Sequence, residues 1–292
     1  LLGPKLAAQE CDCDFMTSGN TVVDGPVIDW YERTNTMVCE PLEKRGPGGD
    51  LWVWRYPDYS RSYEVIVDVA RGDGNDYSTI EVIDIEACEQ VAEFKSHIGT
   101  TELGYLAIAV ATEYNNALLV VENTGIGWAT IQVCLDRNYA NLYYSYKDDG
   151  YVDNNKHLRH GYDIVNKDKM VPGFTTSTRT RPIVVSKIEL NFRERTPIIH
   201  SMRLIHELKA FSWINGKAQA SGKANDDLIM AFGIGLYIRD TSVKLRQAGI
   251  ELTVKTLSNM GKSTPIYQMQ PTLANGWSMP TGQENESLTW LL

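Results

Sequence analysis

Apolar positions along this chain first alternate and then take up helical spacing. YEVIVDVARG (63–72) is a β-branched run ending in a Gly/Asp/Asn loop. YSTIEVIDIE (77–86) and EQVAEFKSHI (89–98) follow as two more strands, with a short turn around Ala87 and Cys88 between them. The three predict an antiparallel meander. TTELGYLAIAVATEYN (100–115) then repeats at helical period, with Leu103, Leu106, Ala107, Val110 and Ala111 on one face, and Thr100 or Thr101 can cap its start. ALLVVEN (117–123) is almost wholly apolar over a strand's length, as expected of a strand buried on both faces. Residues 125–137 read as a second helix and NLYYSYK (141–147) as another strand.

Three strands, helix, strand, helix, strand is the order of the ribonuclease H-like α/β fold, a mixed central sheet flanked by helices. Residues 148–178 are polar and turn-rich, so a basic hairpin or loop insertion is expected there. Helical pattern returns over 180–195, with a Pro in the first turn, and over 200–211. Residues 213–220 read as a hairpin around Asn215–Gly216, a type I′ signal, and 225–239 as the last helix. Residues 1–61 hold turn formers and aromatics without sustained periodicity. The expected organisation is an extended lead-in over 1–61, a ribonuclease H-like domain over 62–240 and a polar C-terminal tail over 241–292.

Composition narrows the classes. Hydrophobic residues make up 43% and charged residues 22% of the 292 positions, which excludes a disordered or fibrous chain. The apolar run 228–238 is far shorter than the roughly 20 residues a membrane helix needs, so no membrane partner is expected. The N-terminal LLGPKLAAQECDCDF has no signal-peptide pattern, lacks an initial Met and reads as mid-chain, so a fragment of a longer protein is the expectation. Five cysteines at unrelated spacings, with no C-x-x-C, read as reduced thiols in a cytosolic, non-secreted protein. The net charge of −9 argues against nucleic acid only if it is spread evenly. Between Lys156 and Arg203, ten Lys/Arg face four Asp/Glu, a local excess of +6 suited to a polyanion.

Three acidic stations carry the candidate chemistry. Asp68 lies in a β-branched strand, where a carboxylate is costly unless compensated, and alternation sets it with Ile66 and Ala70 against Val65, Val67 and Val69. Glu122 ends the apolar strand, and ligands of open α/β sheets gather beyond such ends. Asp226 and Asp227 open the apolar helix; capping alone accounts for one acid there, not two. Hard oxygen ligands in this number suit Mg²⁺ or Mn²⁺. Two such ions about 4 Å apart can clamp the attacking and leaving oxygens of a phosphodiester.

The stretches VDVARGDGNDYSTIEVIDIE, LLVVENTGIGWATI, TTSTRTRPIVVSKIEL, SMRLIHELKAF and ANDDLIMAFGIGLYI, in that order over roughly 62–240, make the chain resemble the C-terminal nuclease domain of a tailed-bacteriophage large terminase of the T-even-like branch. The lead-in AQECDCDFMTSGNTVV resembles that family's link between ATPase and nuclease halves. The resemblance implies a Mg²⁺/Mn²⁺-dependent endonuclease that cuts double-stranded viral DNA during genome packaging. Its catalytic, metal-binding acids fall on Asp68, Glu122 and the Asp226/Asp227 pair, whose principal member stays open, with Asp76 as an accessory. Lys156, Arg159, Arg179, Arg181 and Lys187 are the expected DNA contacts. Implied partners are the ATPase domain of the same full-length chain, the capsid portal ring and the small terminase subunit. The implied location is the host cytoplasm, transiently at the procapsid portal.

The family's motor half and its Walker motifs are missing here, so no ATP site is expected. Gly261-Lys262-Ser263 has a P-loop ending, but Thr256 stands where the motif requires Gly. The rival reading is a catalytically silent docking or coupling domain that binds the portal or ATPase half. A Holliday-junction resolvase of the same fold is a third.

Overall fold

Six strands form the central sheet: β1 (Glu43–Arg45), β2 (Leu51–Val53), β3 (Tyr63–Asp68), β4 (Ser78–Asp84), β5 (Glu89–Ser96) and β6 (Leu118–Val121), in the order β1-β2-β5-β4-β3-β6. They belong to a computed structural model that describes residues 21–34, 39–71, 76–148, 151–153, 170–222 and 224–240. β3, β4 and β5 make the antiparallel meander, and β6 joins β3 in parallel. Two short segments continue the sheet beyond β6. The Leu119 N–H donates to the Asn141 carbonyl and the Tyr143 N–H to that of Leu119, both at 2.9 Å. Further along, the Phe174 N–H donates to the Val121 carbonyl at 2.8 Å and the Asn123 N–H to that of Phe174 at 2.9 Å. With 141–143 as its outer strand, the meander plus two crossovers reproduces the ribonuclease H-like order.

Helices cover both faces, and β3 shows why. Val65 and Val67 face one core, closed by α2 (Thr100–Glu113) and α3 (Gly127–Asp136) through Leu103, Ala107, Val110, Ile131 and Cys134. Ile66 faces the other, closed by α4 (Thr180–Arg193), α5 (Met202–Ala210) and α6 (227–240). The alternation that gives β3 a two-sided core leaves Asp68, at its end, on the face of α6.

Several expectations shift. Parts of the expected lead-in are regular structure packed on the domain: α1 (Gly25–Asp29) and the π turn after it bury Ile28 and Tyr31, while β1 and β2 extend the sheet past β5. Thr100 is the first residue of α2 and Gly99 holds the cap position, with no side-chain cap bond. The insertion begins as a three-stranded sheet of β7 (Tyr144–Asp148), β8 (Tyr151–Asp153) and β9 (Met170–Pro172). β10 (Phe211–Ile214) and β11 (Lys217–Ala220) pair around Asn215 and Gly216, at φ 50° and 77°, as a type I′ turn demands. Residues 1–20, the insertion's 154–169 with Lys156 and Arg159, the GKS stretch and the tail 241–292 lie outside the described residues. Among the described residues, Cys39, Cys88 and Cys134 are free thiols, and no helix is long and apolar enough to cross a membrane.

Candidate functional site

The parallel pairing of β3 and β6 sets two acids side by side. Val67 and Val121 are register partners, and the Glu122 N–H donates to the Val67 carbonyl at 2.9 Å, so Asp68 and Glu122 emerge together from adjacent strands. Two glycines let the backbone crowd around Glu122. A Cβ on Gly127, in the first turn of α3, would lie 1.8 Å from the Glu122 carbonyl oxygen. One on Gly173, at φ +84°, would lie 2.4 Å from that of Val121.

Asp227, the first residue of α6, approaches from the opposite side. Its Oδ2 accepts the Tyr77 N–H and the Asn225 side-chain amide, each at 3.2 Å, and the Thr79 hydroxyl donates to its backbone carbonyl at 3.4 Å. Asp68, Asp76, Asp227, Arg71, Tyr77 and the Thr124–Ile126 loop line one cleft of about 560 Å³. The cleft opens beyond the carboxyl ends of β3 and β6, where α/β sheets place their ligands.

The electrostatics of the site are those of crowded acids. Asp68 keeps a partly exposed edge on the cleft, yet burial holds its carboxyl well above the usual range. The neighbouring Glu122 carboxyl and the nearby Asp227 add to the shift. Burial also raises Asp227, while the Tyr77 N–H and the Asn225 amide pull it back. Behind the cleft, burial pushes Glu207 up to about 7 against the opposing pull of Lys95.

The two members of the acidic pair separate. Asp226 binds Arg181 at 2.8 Å, whereas Asp227 faces Asp68. Arg181, an expected DNA contact, is thus engaged by a carboxylate, and Lys187 is paired with Asp240. Arg179 sits exposed at the cap position of α4.

Among the described residues no three His, Cys, Asp or Glu side chains are drawn tightly enough together to hold an ion outright. The convergent set is the Asp68–Glu122 pair with Asp227 facing it. Carboxyl groups gathered at the ends of two adjacent strands and a helix start supply hard oxygen donors, so their chemistry fits Mg²⁺ or a similar ion.

Lys95, Glu207, Gly127 and Gly173 were not singled out in the sequence. Glu207 left a signal there: an acid between Leu204 and Leu208 on the apolar stripe of its helix.

The architecture is shared with the large terminase nuclease of thermophilic phage G20c. The crystal structure of that nuclease with bound magnesium matches at a TM-score of 0.53 and 16% identity, over 75% of this chain and 97% of that one. The cobalt-bound structure gives 0.51 and 16% over 71% and 96%, and a further one 0.50 and 15% over 71% and 95%. No protein-family model and no curated protein matches the chain.

Proposed function

We propose that this protein is the nuclease part of a phage large terminase, a divalent-metal-dependent endonuclease that cuts double-stranded DNA during genome packaging. One observation carries the reading: the Asp68–Glu122 carboxyl pair faces Asp227 in a fold shared with a magnesium-bound terminase nuclease.

Asp68, Glu122 and Asp227 would hold Mg²⁺ or Mn²⁺, two ions in this reading, with Asp76 as an accessory on the cleft wall. Bound there, the metal supplies an activated water and stabilises charge on the departing 3′ oxygen. The chain's own residues do the rest. Asp68 and Glu122, side by side at the ends of β3 and β6, would offer the cation their carboxylate oxygens. Tyr77 and Asn225 orient the Asp227 carboxylate toward the cleft. Arg71, exposed on the cleft wall, offers its guanidinium to a non-bridging phosphate oxygen.

Arg179, Arg181 and Lys187, with Lys156 and Arg159 of the insertion, would follow the DNA backbone. Arg181 would exchange Asp226 for a phosphate, and Lys187 would likewise exchange Asp240. Such contacts position a duplex without reading its sequence, consistent with cutting of low specificity. The ATPase half of a full-length chain, the portal ring and a small subunit are the partners this role entails. A domain kept only for docking has no use for a carboxyl pair whose members repel.

The test is nicking of supercoiled plasmid in Mg²⁺ or Mn²⁺ by the wild type and by Asp68→Asn. Metal-dependent nicking by the wild type alone supports the reading, and equal nicking by both overturns it.

A further inference from the structure

Asp227 is held by a ring of contacts that starts outside the cleft. The first N–H groups of a helix lack partners within it, and the side chain just before the helix usually takes those of the second and third residues. Asp226 occupies that position, its carbonyl accepting the Met230 N–H at 2.9 Å, but its carboxylate is bound to Arg181. Glu207 caps α6 from another helix instead. Its Oε2 accepts the Leu228 N–H at 2.8 Å and the Ile229 N–H at 3.1 Å.

The other carboxylate oxygen of Glu207 pairs with Lys95 on β5. The Lys95 ammonium lies 4.9 Å from the centroid of the Tyr77 ring, and the Tyr77 N–H returns to Asp227. The side chains of Glu207 and Lys95 are only 6% and 16% exposed, so water competes little for the pair. Their placement relative to Asp68 is fixed by the sheet: Asp68 pairs in register with Thr79, and Thr79 with Lys95. This one row of three strands therefore reaches the start of α6 three times: Asp68 beside Asp227, the Thr79 hydroxyl on the Asp227 carbonyl, and the Lys95–Glu207 cap on Leu228 and Ile229.

We propose that Glu207 and Lys95 are the positioning pair for Asp227, setting the start of α6 against the sheet so that Asp227 stands opposite Asp68. The inference rests on the reading of Asp227 as a metal ligand. A cap supplied by the helix's own preceding residue would fix α6 only to its local chain. A cap supplied through Lys95 fixes it to the strand row that carries Asp68.

Two measurements on the whole chain separate this inference from the functional reading. Hydrogen exchange of the metal-free protein reads the cap itself: Glu207→Gln and Lys95→Met should lower protection at Leu228 and Ile229, and Lys95→Arg should keep most of it. Mn²⁺ titration calorimetry reads the consequence. Glu207→Gln should weaken Mn²⁺ binding by about 10–100-fold, the usual loss when a ligand's supporting partner is removed. In an Asp227→Asn background the same substitution should change nothing further.

Unchanged protection at Leu228 and Ile229 in both variants overturns the positioning inference, whatever the metal does. Unchanged Mn²⁺ affinity in Glu207→Gln, or an equal loss with and without Asp227, overturns it too. A wild type that binds no Mn²⁺ while the exchange result holds overturns the functional reading and leaves the cap standing. Should Glu207→Gln fail to fold, the Lys95→Met and Lys95→Arg pair carries both measurements.

Discussion

Asp68 and Glu122 are neighbours because β3 and β6 run parallel: the Glu122 N–H donates to the carbonyl of Val67, the residue before Asp68, at 2.9 Å. That sheet bond fixes the backbone positions from which both side chains start. Asp68→Asn and Glu122→Gln are each expected to lower metal-dependent nicking by more than about 100-fold, beyond the loss of a supporting residue. The fold should persist, and melting in chelator should be unchanged or higher, because a repulsion is removed. Near wild-type cleavage by either variant would remove that residue from the site.

The buried acids give the metal-free protein a signed pH dependence. Burial raises Glu64, fully enclosed on β3 with both carboxyl oxygens unpartnered among the described residues, and burial together with Glu122 raises Asp68. An acid whose folded pKa lies above its unfolded value, about 4, binds more protons folded than unfolded. Its stability contribution is complete below that value and is lost as pH climbs toward the folded one. Glu64→Gln should therefore raise the melting temperature at pH 8 relative to the wild type and leave it nearly unchanged at pH 4. An equal shift at both pH values would mean that ionisation is not the cause.

The backbone around Glu122 leaves no room for a methyl group. Gly127→Ala and Gly173→Ala should each destabilise by about 1–3 kcal/mol, the range for forcing atoms into a packed site. Each should also lower nicking more than the reduced stability explains, because Glu122 must shift. Urea titration beside initial nicking rates checks this, and full activity in a destabilised Gly127→Ala would show that the Glu122 backbone need not be held.

The basic face is tested by salt. Arg179→Ala with Arg181→Ala should flatten the dependence of log affinity on log salt by about two, one for each phosphate left without its arginine. Fluorescence anisotropy of a labelled duplex in Ca²⁺ at several salt concentrations measures the slope. An unchanged slope would send the DNA along another face.

The sheet order and the two-sided core were legible because β3 and β6 obey simple rules: Val65 and Val67 oppose Ile66, and LLVV is apolar throughout. The carboxyl pair was legible for the same reason, since a charge among β-branched residues stands out. β1 and β2 were not, because strands of three residues carry too little alternation to register. The cap of α6 was hidden by distance. Two acids at a helix start look like its cap, and only the folded chain sends Asp226 to Arg181 and brings in Glu207, 21 positions before the Leu228 N–H that it takes. Gly127 and Gly173 act through what they omit, and a sequence does not display the carbonyl that a side chain would strike.

The outer edge of β6 is shared between two chain segments, 141–143 along its first half and 173–174 along its second, and these meet where the Gly173 N–H donates to the Tyr143 carbonyl at 2.8 Å. The Ser145 hydroxyl fastens the same junction by donating to the Gly173 carbonyl at 2.7 Å. The chain departs from β6 at Tyr143 and comes back at Gly173, and these bonds close a neck beside Glu122. Chain joined between two such fixed points can be lengthened at little cost, since each doubling of a flexible loop adds only about 0.6 kcal/mol of closure entropy. Evolution, or an engineer, could exchange the segment joined at that neck for a longer, shorter or differently charged one while Asp68 and Glu122, held by β3 and β6, keep their places.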